Sequence, residues 1–580
     1  MIGFEMESLS TRRPSFLGSN YMVSSGHYLA SMAGTKILER GGNAVDAGVA
    51  TGLCINVLQF DLTNIGGVAP IVLRMARTGE VATISGLGWW PKAATLEELR
   101  RRGNDISSGI LASVVPSAID SWITALDRYG TMSFAEVAAP AIELCEQGFP
   151  VNKFLAANIA RIADKVGRWP SSREVLLSRG RPPKPGERYV QKDLARTFRM
   201  LVDAECGAAG RHEGLRAARD LFYKGEIAQR TARFCQEQGG LLTAEDMAEF
   251  SVEVEPPIRA TYRGYEVYGC GPWCQGPVAL QALTILEGYD MGAIPHNSAR
   301  ALHLIVEALD AAFADRHGYI GDPRFVPVPI EGLLSKGYAE AWRRRIRTDR
   351  AAGEMPVPGD PWAYQSGGRA PAMAAGRPRP QAGAVPPDTS YLCVMDAEGN
   401  AFSATPSDGA RDTPIVPGLG FIISPRGHQS WLDPDHPSSV APGKRPRLSP
   451  NPGLVVKDGE TFMVYGSPGL DAQPQAMVQL LVNIIDHGME AQEAIEHPRV
   501  VSYNFPSTSH PHPYSPGQLS VEGRIPETVR AELADLGHRV ETWPEWTPKA
   551  GALCAVVRNS AERTLAGGAD PRRLAYAVGW

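Results

Sequence analysis

A change of texture that could carry chemistry falls at Asp388-Thr389. The stretch from Ala351 to Asp388 is rich in Pro, Gly, Ala and Arg and poor in bulky apolar residues, so it reads as a mobile linker that buries too little surface to order itself. Directly after it, TSYLCVMD reads as a strand. A threonine hydroxyl is a weak nucleophile at its own pKa and needs a base within hydrogen-bond reach. Threonine is also a good strand former, and by itself Thr389 reads as structure. Other chemistries find less footing. The eight cysteines are scattered singly, without a paired CxxC cluster, and read as small buried hydrophobes of a reducing compartment. His487 and His497 lie near a helix and His428 lies close to Arg426, none of them in an HExxH or ligand cluster. NIGGV lacks the residues of a phosphate loop. The sequence asks for neither a metal nor a cofactor.

The elements that would position Thr389 follow from periodicity. TSYLCVMD and AFSAT flank the turn residues Ala397-Glu398-Gly399-Asn400, and GLVV and TFMVYG flank Lys457-Asp458-Gly459-Glu460, which predicts two hairpins. Upstream, IVLRMA and EVATISG flank Arg77-Thr78-Gly79-Glu80 in the same way. PPIRATYRGYEVYGCGP alternates with a period of two and reads as a further strand pair. Between Gly26 and Phe60 apolar residues recur three and four apart, with Gly41-Gly42 ending a first helix; the second is almost wholly apolar and must be covered on both sides. From Pro116 to Arg350 the chain is mostly helical by period, and MVQLLVNIIDHGMEAQEAI returns to that period. Helices over sheets make a layered α/β arrangement.

At 580 residues, with 43% hydrophobic and 21% charged, the chain has a globular composition and the length for one large domain or two intimate layers. Its 58 basic and 63 acidic residues leave a net charge of -5, no electrostatic footprint for nucleic acid or an anionic membrane, so the expected partner is a small molecule. MIGFEMESLSTRRPSF carries acids where a signal peptide needs a basic flank and an apolar core. No uncharged apolar run approaches the roughly 18 to 20 residues of a membrane span. The expectation is a cytoplasmic protein.

DTSYLCVMDAEGNAFSAT resembles the strand-turn-strand that opens the small subunit in the gamma-glutamyltranspeptidase family of N-terminal nucleophile hydrolases. GGNAVDAGVA near 41, NIGG at 64, VPSAIDSWITALDRYG at 115, AFADRHGYIGDPRFVPVPIEGLLSKGYA at 312, APGKRP at 441 and YGSPG at 465 extend the resemblance along nearly the whole chain. It implies a four-layer αββα sandwich with antiparallel sheets and a helical flank, built as one intertwined domain. It also implies self-cleavage between Asp388 and Thr389 into a large subunit, 1–388, and a small one, 389–580, joined as a heterodimer, with a dimer of heterodimers as the larger assembly to consider. Cleavage would free the α-amino group of Thr389, whose ordinary pKa of about 7.7 to 8 lets it act as the base for its own hydroxyl.

The same resemblance assigns the site. Thr389 falls on the family's nucleophile, and Ser407 on a hydroxyl residue that hydrogen-bonds it, although Ser407 reads equally as a serine at a strand end. The two main-chain oxyanion donors map to Gly469 and Leu470, a leucine replacing the family's second glycine; without the family frame SPG is a plain turn. Relatives that use glutathione carry an Arg-Glu pair where this chain has SGLGWWPKAA, with no charge from Ser85 to Trp90. The acid that binds the substrate amine aligns approximately with Gln429, and the adjacent serine pair becomes Leu448-Ser449. An unpaired charge taken from water costs several kcal/mol, so the gamma-glutamyl clamp and ammonium pocket read as lost. Arg426, where the acylase branch carries an arginine, suits an acidic acyl group, or is a solvated loop residue. Asp408, next to Ser407, completes the substrate-binding set. Trp89 and Trp90 offer either a wall against a planar substrate or core packing.

The expected function is that of a self-processed amidohydrolase or acylase cleaving an amide of a small carboxylate-bearing substrate through a threonine acyl-enzyme, similar to glutaryl-cephalosporin acylases or oxamate amidohydrolases. A gamma-glutamyltransferase or glutathione hydrolase is the alternative, and a catalytically inactive binding relative is an alternative of another class.

Overall fold

Alternation along Leu392–Met395 sets up the centre of the molecule. Tyr391, Cys393 and Met395 enter one apolar layer, with Met22, Val72, Leu454, Val464 and Val556, while Leu392 and Val394 enter another. The first layer lies between two seven-stranded sheets. One runs in the order Tyr576–Gly579, Met22–Ser25, Leu392–Met395, Ala401–Ala404, Ile71–Arg74, Val81–Ile84, Val254–Glu255. The other runs Phe16–Gly18, Thr564–Ala569, Cys554–Asn559, Glu460–Gly466, Gly453–Lys457, Tyr265–Gly269, Ile258–Tyr262. All pairings in both are antiparallel. Each sheet takes strands from both sides of Asp388-Thr389.

Helices close both outer faces. Ala44–Leu58, buried along its whole length and started by an Asn43/Asp46 capping box, packs with Tyr28–Glu39 and Ala118–Tyr129 on the sheet that carries Leu392–Met395. Gly276–Leu286, Ala299–Tyr319 and Ala472–Ile485 cover the other sheet. The architecture is the expected four-layer αββα sandwich, and all four predicted strand pairs are present.

This computed structural model describes residues 11–367, 376, 378–381, 383 and 388–580. Three features differ from the periodicity reading. A small third sheet joins Val500–Ser502, Gln518–Glu522 and Arg539–Trp543. The last predicted helical run is two helices, Ala472–Ile485 and Ala491–Glu496. Finally, residues 351–367, expected to lack fixed contacts, are tied to the body by main-chain groups: the Met355 N–H donates to the Tyr514 hydroxyl (2.9 Å), the Gly359 N–H to Asp315 (3.0 Å), and the Gly359 carbonyl accepts from Tyr319 (2.6 Å). The rest of the expected linker falls mostly outside the described residues. All cysteines but Cys206 are buried. Among the described residues no helix is long and apolar enough to cross a membrane.

Candidate active site

Thr389 sits just before its strand with φ 83°, the left-handed region. For a β-branched residue that conformation costs on the order of 1–3 kcal/mol. It persists because the surroundings hold it. The Thr389 N–H donates to the Leu62 carbonyl (3.0 Å), its own carbonyl accepts from Arg573 Nη1 (3.1 Å), and the Ser390 N–H donates to the Pro406 carbonyl (3.0 Å). Ser407 is placed by donation of its N–H to the Val68 carbonyl (3.0 Å). The NIGG segment must approach closely to do this: a Cβ on Gly67 would lie 2.2 Å from the Ser407 carbonyl oxygen. Asp408 (φ 83°) and Leu470 (φ 54°) are left-handed too, so three of the nine such non-glycine residues among those described meet here and backbone strain gathers at this site.

Side chains then close a ring. The Thr389 hydroxyl donates to Asp388 Oδ1 (3.0 Å), and Ser407 Oγ lies 2.7 Å from Thr389 Oγ. Arg426 Nη2 donates to Asp388 Oδ2 (2.6 Å) and to Ser407 Oγ, while its Nε side faces Asp408. With Thr389 donating to Asp388 and Arg426 donating to Ser407, the Ser407 proton is left to point at Thr389 Oγ. Arg426 is no solvated loop residue: it is fully buried, on the short turn Arg426–Gln429 that Trp90 supports from above Gly427. Burial alone would push the Asp388 carboxyl up, but Arg426 and Arg411 outweigh it and hold Asp388 below the usual carboxylate range. For Asp408 burial wins, against Arg426, and its pKa is raised to about 6.

Gly469 (φ 126°) and Leu470 follow the strand Glu460–Gly466 and open the helix Ala472–Ile485. Neither main-chain N–H has an acceptor among the described residues, the state required of oxyanion donors. Gln275 braces this corner by donating to the carbonyls of Leu470 and Ser449 (2.9 Å each), and Arg316 pairs with Asp471 behind it. A cavity of about 420 Å³ opens over Gly469 and Leu470, walled by Tyr503, Phe505 and Trp543 and also by Gly383. Thr389 is not on its wall.

The remaining expected residues are brought together in part. Gln429 and Ser449 are buried partners: Gln429 Nε2 donates to Ser449 Oγ (2.8 Å) and its Oε1 accepts from the Ser449 N–H (3.0 Å), a neutral pair with no acid in it. His428 is held down to about 4 by burial and by Arg426, so it is uncharged at neutral pH. Trp90 donates to Ser430 (2.9 Å), and Trp89 packs edge-on to Phe250 beneath Arg324. Both tryptophans are packing residues.

Sequence reading missed Arg573, which binds the Thr389 carbonyl and whose pKa burial lowers to about 10. Its signal was an arginine pair in a turn, DPRRL, immediately before the last strand. It also missed a grouping of His303, Glu307 and His538, whose ligand atoms lie within 4.8 Å of one another. Among the described residues this is the one arrangement of a kind that can hold a metal ion. His303 Nδ1 lies 2.9 Å from His538 Nε2, and its Nε2 lies 2.7 Å from the Arg347 carbonyl, so the pair is already satisfied by hydrogen bonds.

Comparison with known proteins gives a consistent picture. Residues 30–580 match the family model described as Gamma-glutamyltranspeptidase. A Bacillus subtilis (strain 168) protein, glutathione hydrolase-like YwrD proenzyme, is 34% identical over 568 residues, covering 97% of this chain and 99% of its own. The acylase ACY 1 proenzyme of Pseudomonas sp. (strain SE83) is 35% identical over 568 residues, covering 95% and 92%. Among solved structures, the cephalosporin acylase from Bacillus halodurans superposes with a TM-score of 0.84 at 28% identity, covering 100% of this chain and 99% of that one.

Proposed function

The chain belongs to the gamma-glutamyltranspeptidase family of N-terminal nucleophile hydrolases, and from that premise we propose that it cuts itself before Thr389 and then hydrolyses amides whose acyl group bears a carboxylate. The ring of Thr389, Ser407, Asp388 and Arg426 carries this reading. In the uncut chain Thr389 Oγ attacks the Asp388 carbonyl carbon, the peptide C–N bond breaks, the departing nitrogen takes a proton, and an ester joins Asp388 to Thr389. Water resolves it. Thr389 is left with a hydroxyl and a free α-amine, nucleophile and base in one residue.

With substrate, that amine takes the hydroxyl proton as Oγ adds to the amide carbonyl. The N–H groups of Gly469 and Leu470 receive the oxyanion, and the amine returns the proton to the leaving nitrogen. Ser407 keeps a donor on Thr389 Oγ, and Arg426 receives the carboxylate of the acyl group. Gln429 and Ser449 give a substrate ammonium no charge partner, which weighs against gamma-glutamyl recognition. The substrate is a small amide, and the two segments stay associated through shared sheets.

Denaturing electrophoresis of purified protein tests the first step: two bands from the natural chain and one from Thr389→Ala. A single band from the natural chain would sink self-processing. High turnover of a gamma-glutamyl anilide with no turnover of carboxyacyl anilides would replace the acylase reading with the activity named for the glutathione hydrolase relatives.

A further inference from the structure

We infer that Asp388 is the enzyme's first acyl group, and that its length sets the substrate class: amides of four-carbon dicarboxylic acids, succinyl or N-acylated α-aspartyl. The inference rests on the proposed roles of Thr389 and Arg426. The ester formed in self-cleavage joins the Asp388 carbonyl to Thr389 Oγ, which is the connectivity of the acyl-enzyme made from any later substrate. The site must therefore accommodate and hydrolyse an aspartyl ester once before it meets anything else.

The structure shows how that first acyl group is held. The Asp388 carboxylate is buried, donates nothing, and takes one hydrogen bond from Arg426 Nη2 and one from the hydroxyl that will attack. Arg426 cannot swing to meet a ligand of another length. Its side chain is fully buried, its turn is fixed under Trp90, and its Nε side is occupied by Asp408. Its Nη1 has no acceptor among the described residues, so the guanidinium keeps a donor in reserve for a second carboxylate oxygen. The approach is marked too. Gln381 pairs with Tyr514 through both main-chain groups (3.1 and 3.0 Å), and Gly383, five positions before Asp388, lines the cavity over Gly469 and Leu470.

In Asp388 two carbons, Cα and Cβ, separate the carboxylate carbon from the carbonyl carbon that is attacked. A succinyl group reproduces that span. A malonyl group is shorter and a glutaryl group longer by one C–C bond of about 1.5 Å, and neither can place both ends without leaving Arg426 imperfectly paired. The substituent that continues to Pro387 in the precursor leaves a place at Cα that an N-acylamino group can fill.

The test uses the natural, processed protein and four p-nitroanilides: malonyl, succinyl, glutaryl and uncharged butyryl. Succinyl anilide is expected to exceed malonyl and glutaryl in kcat/KM by about 10-fold or more, and free succinate to inhibit more strongly than free glutarate or malonate. Glutaryl or malonyl anilide at or above succinyl, with butyryl far below all three, would overturn the chain-length inference and leave the proposed function standing. Butyryl anilide matching the others, or none turned over, would overturn both. A parallel measurement needs no substrate: Asp388→Glu should slow the appearance of two bands on folding by at least 10-fold, and cleavage at the natural rate would count against Asp388 as the fitted acyl group.

Discussion

Two buried arginines in this molecule are built to opposite ends. Arg572, near the C-terminus, gives every guanidinium nitrogen an acceptor: Nε to Glu522 (2.7 Å), Nη1 to the Ile495 carbonyl and Asp570 (3.1 Å each), Nη2 to Glu522 and the His497 carbonyl (2.8 Å). Arg426 is as deeply buried, yet among the described residues it lacks a partner for Nη1, and one of its two carboxylates belongs to Asp388, a residue that cleavage would detach. A closed set of partners makes a structural cation. An incomplete set, half of it removable, suits the binding role proposed for Arg426.

The acids differ correspondingly. Asp570 is held below the usual carboxylate range by Arg499 and Arg572 in spite of burial, whereas burial lifts Asp408 to about 6. Removing Arg572 leaves the buried carboxylates of Glu522 and Asp570 without one of their cations, whereas removing Arg426 leaves Asp408, whose burial already favours the neutral form. In the uncleaved Thr389→Ala background, where unfolding is unimolecular, Arg572→Met should lower the unfolding free energy by about 3–5 kcal/mol, read from urea denaturation. Arg426→Met in the processed enzyme should lose about 100-fold in kcat/KM toward a carboxyacyl anilide, within the usual cost of truncating a charge partner, and in the uncleaved background should lose less stability than Arg572→Met. Equal stability losses, or an Arg426→Met enzyme of natural activity, would dissolve the distinction between the two arginines.

Ser407→Ala sharpens it on a finer scale, since Ser407 links Arg426 to the Thr389 hydroxyl. The loss of one hydrogen bond, about 1.5 kcal/mol, predicts a roughly 10-fold lower kcat with KM for the carboxyacyl substrate little changed. The smallest effect lies in acid. Asp388 is depressed in the folded precursor, so its contribution to stability is present above the unfolded carboxylate value of about 3.9 and is lost as pH falls through the folded value. Between pH 6 and pH 3, the uncleaved Thr389→Ala protein should thus lose more stability than the Thr389→Ala, Asp388→Asn double variant. Identical losses would mean that Arg426 does not hold Asp388 as the geometry indicates.

Strand pairs were legible because alternation and short turns such as Lys457-Asp458-Gly459-Glu460 are local signals. The family was legible through the motif that surrounds Thr389. Arg426 was legible in place but not in burial, because SPRGHQSW has the composition of a surface loop and only tertiary packing by Trp90 encloses it. The third sheet escaped notice because Arg539–Trp543 is largely exposed and pairs in parallel with Gln518–Glu522, a long-range contact without a turn to announce it. Residues 351–367 misled by composition, since backbone hydrogen bonds and a few scattered side chains such as Met355 and Tyr364 hold them without a continuous apolar pattern. The pairing of Arg573 with the Thr389 carbonyl joins positions 184 residues apart, and nothing in either neighbourhood names the other.

The interleaving of strands from both sides of Asp388-Thr389 reaches beyond catalysis. As one chain, the protein folds by a unimolecular search in which each sheet recruits strands at the high effective concentration that covalent linkage provides. Once the bond is cut, unfolding releases two polypeptides, each missing strands that both sheets require, and recovery becomes a second-order encounter dependent on dilution. The cleaved enzyme would persist by the height of its unfolding barrier rather than by reversible equilibrium. The proposed cut would therefore also make the folded state a product reached once.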